Sequence, residues 1–209
     1  MSSLLQEMIL QGEGRKLDFK YCVSNSQKIA RSLVAFANTD GGSLLLGVKD
    51  NGKIAGVDSS EELYMIEKAS QFYCRPVMPF SIIRHRSGDK TVIEVVIEFR
   101  GIEPYYAPDD DGRWKVFIRY NDKNIPANRI WLETQRLKKI AGHTVVTFDR
   151  NVEMLFNYLE HKQVAGLETC IQITNMSKRM TENLLIRLIV MELIEMEITE
   201  KETLFRRKY

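Results

Sequence analysis

The sequence predicts an α+β fold: a largely antiparallel sheet with flanking helices, followed by a small winged helix-turn-helix domain. Three observations point to it. Strand-like and helix-like patterns mix through the first two thirds of the chain without regular βαβ alternation, unlike a wound parallel sheet. All five prolines lie before residue 127, and the remainder is long helical pattern. Three helical segments then run into a short hairpin pattern, the parts of a winged helix-turn-helix. The shift in composition predicts two domains, 1–142 and 149–209, joined at "AGHTVVTF" (141–148).

The first element is "SLLQEMILQ", apolar at Leu4, Leu5, Met8 and Ile9, a short amphipathic helix ending at Gly12. "KLDFKY" alternates, with Leu17, Phe19 and Tyr21 on one face and Asp18 and Lys20 on the other. "SQKIARSLVAFAN" returns to helical spacing through Ile29, Leu33 and Phe36, and Gly41-Gly42 stops it. "SLLLGV" and "KIAGV" flank Asp50-Asn51-Gly52, a hairpin signal. "SSEELYMIEKASQFY" reads as a helix opened by a capping box from Ser59 to Glu62. "FSIIRHR" and "KTVIEVVIEF" around Ser-Gly-Asp predict a second hairpin, and "RWKVFIRY" a further strand. A helix over 129–140 is expected to close the first domain. In the second, "RNVEMLFNYLEHK", "LETCIQITN" and "SKRMTENLLIRLIVMELI" are helices, and "EMEIT" with "TLFRRKY" forms a terminal hairpin.

Composition bounds the function. At 209 residues, with 44% apolar and 28% charged residues, this is an ordinary globular chain. The net charge is +2, and a cut near residue 142 leaves +3 and −1, so any polyanion contact must come from local patches. Cys22, Cys74 and Cys170 are widely spaced, odd in number and form no CxxC, so the sequence suggests neither a disulfide framework nor a zinc site. No basic-then-apolar leader pattern opens the sequence, and "LLIRLIVM" is short and broken by Arg187. A cytoplasmic protein without membrane association is expected.

"GEGRKLDFK" followed by "IARSLVAFANTDGGSLLLGVKDNGKIAGV" resembles the core of the Schlafen/AlbA-like domain family. The family pattern is an acidic residue, then Glu-Phe-Lys on a strand, then Ala-Phe-Ala-Asn-Thr-x-Gly-Gly and Gly-Val-x-Asp. Asp18 stands here for the Glu of Glu-Phe-Lys. "FIRYNDKNIPA" resembles the family's Arg-x-Gly-Ser-x-Asn-x-x-Ala segment, with Asn121 and Asp122 in place of Gly and Ser. The resemblance covers roughly residues 5–140 and implies a nucleic-acid-binding domain, often followed in bacteria by a winged-helix region. It also implies a comparison with eukaryotic members, whose three acidic residues form a metal-dependent ribonuclease site. By motif those positions are Glu13, Asp18 and Asp50; if they form a site, Mg²⁺ or Mn²⁺ is the expected cofactor, and Lys20, on the strand face of Asp18, would assist.

Converging carboxylates hold a divalent cation or share a proton, and such a cation would polarise a phosphodiester. Each residue also has a plain reading: Asp50 in a turn, Asp18 with Lys20 as an ion pair, Glu13 in a loop. Family members are also labelled ATP-binding by loose analogy. "GSLLLGVK" is no P-loop, because Val48 separates Gly47 from Lys49 and the residues between the glycines form a strand.

Arg113, Lys115 and Arg119, with Arg84 and Arg86 on a neighbouring strand, form a basic face able to follow a phosphate backbone. A solvated face paired with Glu94 and Glu98 is the alternative. The acidic turn "APDDDGRW" would repel nucleic acid locally. In the second domain Lys178 and Arg179 open the third helix as a recognition helix would, and Arg206 and Arg207 lie on the wing. The predicted function is nucleic-acid binding, in the form of a DNA-binding transcriptional regulator acting on DNA or RNA and forming a homodimer. A metal-dependent endoribonuclease and a protein-interaction scaffold are the alternatives.

Overall fold

The computed structural model describes residues 3–101, 103–140 and 148–208. The chain divides into two compact units, Met1–Pro126 and Ala127–Tyr209. Most of the expected joint, 141–147, lies outside the described residues.

The first unit is built round a buried helix. Helix α1 (Ser3–Gln11) is followed by strand β1 (Leu17–Lys20), helix α2 (Ser26–Asn38) and strand β2 (Gly42–Leu46). Helix α3 (Ser59–Phe72) leads to the hairpin β3 (Ser81–Ser87) and β4 (Lys90–Ile97), and then to β5 (Tyr106–Pro108), β6 (Trp114–Tyr120) and β7 (Lys123–Pro126). The larger sheet has the order β1-β2-β4-β3, antiparallel except for β1 beside β2, and the smaller sheet has the order β5-β6-β7. In α2 ten of thirteen residues are buried, because it packs against both sheets and α3. A helix apolar on most sides is stable only inside a core.

Two cores flank the larger sheet. Leu44, Leu46, Ile93, Val95 and Ile97 face α2 and α3, while Leu17, Phe19, Leu45 and Val92 face Leu5 of α1. Strand β1 therefore has no solvated face along Asp18, which is 4% exposed.

The stretch "AFANTDGG" joins the two sheets. Asn38 Nδ2 donates to the carbonyls of Tyr105 and Phe117, both at 2.9 Å, and its Oδ1 accepts from the Tyr105 N–H at 2.8 Å. Thr39 Oγ1 accepts from the Arg119 N–H at 2.9 Å. Gly41 has φ +69°, and a Cβ there would lie 2.8 Å from the Ile97 carbonyl oxygen. At Gly42 a Cβ would lie 2.5 Å from the Phe36 ring. Helix stop and strand entry thus require both glycines.

Two local expectations change. The hairpin around Asp50-Asn51-Gly52 is reduced to a turn closed by a single bridge, Val48 with Ile54. Helix α3 is capped by Asp58, which accepts from the Ser60 N–H at 2.9 Å. Glu62 forms no capping box; it accepts instead from the Val23 N–H at 2.9 Å.

The second unit begins with α4 (Arg129–Lys139), followed by α5 (Arg150–Lys162), β8 (Ala165–Gly166), α6 (Leu167–Thr174), α7 (Lys178–Val190), β9 (Ile194–Ile198) and β10 (Thr203–Arg207). The strands form an antiparallel sheet of order β8-β10-β9. Helix α4 belongs here and not to the first unit, because Ile130 and Leu137 share a core with Leu185, Ile186 and Ile189. No helix among the described residues is long and apolar enough to cross a membrane.

Candidate functional site

Glu13, Asp18 and Lys20 come together at the edge of the larger sheet. The loop after α1 folds back along β1, whose outer amides have no strand partner. Glu13 Oε1 accepts from the Phe19 N–H at 2.9 Å, and the Gly14 N–H donates to the Leu17 carbonyl at 2.8 Å. Glu13 thereby caps an open strand edge. Burial, then the nearby Asp18, hold the Glu13 carboxyl above its ordinary range, against the Phe19 N–H and Lys20.

Asp18 is surrounded by cations. Lys20 Nζ lies 3.0 Å from one carboxylate oxygen, and Arg119 Nη2 lies 3.8 Å from the other. Arg119 is 2% exposed, which removes it from the basic surface expected of β6. Its side chain points inward, the same way as Phe117, and lies over the Phe36 ring. It donates to the Gly14 carbonyl at 2.7 Å and to Asn124 Oδ1 at 2.9 Å. Burial draws its pKa below the guanidinium value, while Asp18, Asp122 and Glu13 oppose this.

Asp50 does not complete a trio. It is exposed in the 49–53 turn, and among the described residues no three acidic, His or Cys side chains are grouped so as to hold a metal ion. The residues present do not fit a three-carboxylate Mg²⁺ or Mn²⁺ site. Glu13 and Asp18 are two carboxyls where such a site needs three, and an ammonium and a guanidinium already supply the positive charge. The 49–53 turn places a cation instead, with Lys49 Nζ 5.3 Å from the centroid of the exposed Tyr21 ring.

The remaining basic positions separate. Arg113 and Lys115 are exposed, with Lys115 paired to Asp109 at 2.7 Å. Arg84 and Arg86 lie on β3, in a different sheet from β6, and so do not extend that face. Glu94 is not a surface counter-ion. It is buried, accepts from Ser43 Oγ at 2.6 Å and lies 2.8 Å from His85 Nε2. Sequence reasoning missed this Ser43–Glu94–His85 network, although once the strands are aligned Glu94 and His85 sit diagonally across the β3–β4 hairpin.

In the second unit Ser177 caps α7, and Lys178 and Arg179 follow exposed, with no acidic partner among the described residues. Asn183 is engaged by Arg129, whose Nη2 lies 3.2 Å from its Oδ1. The basic residues of the hairpin are paired: Arg206 with Glu197 at 2.8 Å, Arg207 with Glu160 at 3.0 Å. Exposed pairs of this kind are weak and exchange readily for a phosphate.

None of the curated proteins matches the chain. Among solved structures it is similar to the DIP2311 protein from Corynebacterium diphtheriae, at 18% identity and a TM-score of 0.46, over 64% of this chain and 32% of that one. It is also similar to the N-terminal domain of a RecG-related protein from Nitrosomonas europaea, at 20% identity and a TM-score of 0.40, over 61% of this chain and 91% of that domain. This chain therefore spans about a third of the Corynebacterium protein. The model of the Schlafen, AlbA_2 family matches residues 13–128, from the edge-capping Glu13 to the end of the smaller sheet and more than half of the chain. The chain belongs to the Schlafen, AlbA_2 family.

Proposed function

We propose that this protein binds nucleic acid as a DNA-binding transcriptional regulator, with α7 of the second unit as the reading helix. The carrying observation is the start of α7, where Lys178 and Arg179 are exposed and without acidic partners among the described residues. Around it, α5, α6 and α7 with the β9–β10 hairpin have the order of a winged helix-turn-helix. Family membership supports a nucleic-acid partner for the first unit. A helix that reads half-sites works in pairs, so a homodimer is part of the reading and sedimentation tests it.

Fluorescence anisotropy with duplex DNA is the direct test. Affinity falls steeply between about 50 and 200 mM salt, and reversing both charges (Lys178→Glu with Arg179→Glu) lowers it at least about tenfold at low salt. Equal binding by the double variant overturns the role of α7.

The ribonuclease alternative is the weaker reading, because Glu13 and Asp18 beside Lys20 bring together two carboxyls and not three. It requires tRNA cleavage in Mn²⁺ that Asp18→Asn abolishes while the fold is kept.

A further inference from the structure

The tightest cation–ring contact among the described residues lies away from the carboxylates, where the Arg75 guanidinium sits 3.8 Å from the centroid of Trp114. Both groups are fixed from behind. The Arg75 N–H donates to the Tyr106 carbonyl at 2.9 Å, and the Tyr106 N–H donates back at 2.7 Å. Tyr106 and Trp114 stand on the paired strands β5 and β6, with Pro108 opposite Trp114. Arg75 is exposed, and Tyr106 retains 37% of its surface. A few residues upstream, Tyr64 and Phe72 of α3 are 62% and 68% exposed and line a hollow of about 380 Å³ with Lys68 between them.

The acidic turn beside Trp114 repels a polyanion less than its sequence implies. Asp109 is paired to Lys115 at 2.7 Å and Asp110 to Arg31 at 2.8 Å, and both carboxyls are held below their ordinary range by these partners. Arg75 then stands over the Trp114 ring, and among the described residues Asp111 is the one carboxylate of the turn without a cation partner.

We infer that this surface stacks the bases of single-stranded nucleic acid. The inference rests on the nucleic-acid reading above and names unpaired segments as the ligand form. A guanidinium 3.8 Å from the centre of an indole offers its outer side to a base, and exposed aromatic rings seat further bases. A duplex keeps its bases stacked internally and cannot use such a surface. Isolated rings separated by charged and amide side chains, Glu67, Lys68 and Gln71, suit a string of bases better than a continuous apolar partner.

The test uses the full chain with Trp131→Phe, which leaves Trp114 as the sole tryptophan of the two. Oligothymidylate of about 15 nucleotides quenches Trp114 emission on binding, and a duplex of equal length does not. Arg75→Ala and Tyr106→Ala each weaken single-strand affinity by about tenfold and leave duplex affinity unchanged. Arg75→Lys keeps the charge but loses the plane, and behaves like Arg75→Ala. Thermal melts confirm that these surface variants remain folded. Single-strand binding with unmoved emission, or full affinity in Arg75→Lys, overturns the inference and leaves the duplex-binding reading standing. Binding of neither form at low salt removes both.

Discussion

Asn38 shows how much one side chain can hold in this fold. Its amide satisfies three backbone groups of the smaller sheet from the end of a helix, inside a core where no water replaces it. Asn38→Ala strands the Tyr105 N–H and two carbonyls, at a cost of at least about 2 kcal/mol, measured as a lower urea midpoint. Glu62 is the opposite case, a buried carboxyl whose charge is unfavourable. Burial raises its pKa, with Glu61 and Asp58 adding to the shift and the Val23 N–H opposing it. Its folded pKa therefore exceeds its unfolded one. Its stabilising contribution is complete below the unfolded value near 4.5 and is lost as pH rises through the folded value. Glu62→Gln keeps the acceptor for Val23 and removes the charge. It raises Tm at pH 7 by a few degrees and leaves Tm unchanged well below the unfolded pKa.

Helix ends decide stability at the next scale. Helix α5 ends at Gln163 with φ +65° and α6 at Asn175 with φ +50°. Asparagine tolerates the left-handed region and glutamine does not, so Gln163→Gly stabilises by roughly 1 kcal/mol and Asn175→Gly by much less. Parallel thermal melts compare the two. Elements were the most legible level of the sequence: the 3.6-residue spacing in "SQKIARSLVAFAN" and the Ser-Gly-Asp turn of the β3–β4 hairpin both predict what forms. Faces were less legible. Alternation in "KLDFKY" and "RWKVFIRY" separates two sides of a strand but does not say whether the polar side meets water or a second layer. Asp18 and Arg119 meet a second layer, so a surface ion pair and a basic face become one interior cluster. Glu13 and Asp18 were brought together by motif alone, and nothing local in the sequence marks Asp50 as standing apart.

For the molecule as a whole, the division at Pro126 has a measurable outcome. A fragment of residues 127–209 retains Ile130 and Leu137 against α7 and melts cooperatively. A fragment of residues 149–209, cut at the boundary expected from the sequence, lacks α4 and exposes Leu185, Ile186 and Ile189; losing two large apolar side chains from so small a core costs several kcal/mol. Circular dichroism melts of both fragments distinguish them, and equal stability would mean that α4 contributes nothing. The reach of Arg119 to the Gly14 carbonyl, 105 residues earlier, bears on synthesis. When β1 leaves the ribosome, Asp18 has no guanidinium to meet, and it waits for most of the first unit to be made. The nascent chain can cap that strand edge locally through Glu13, but the partnering of Asp18 by Arg119 is a late event, timed by the emergence of β6.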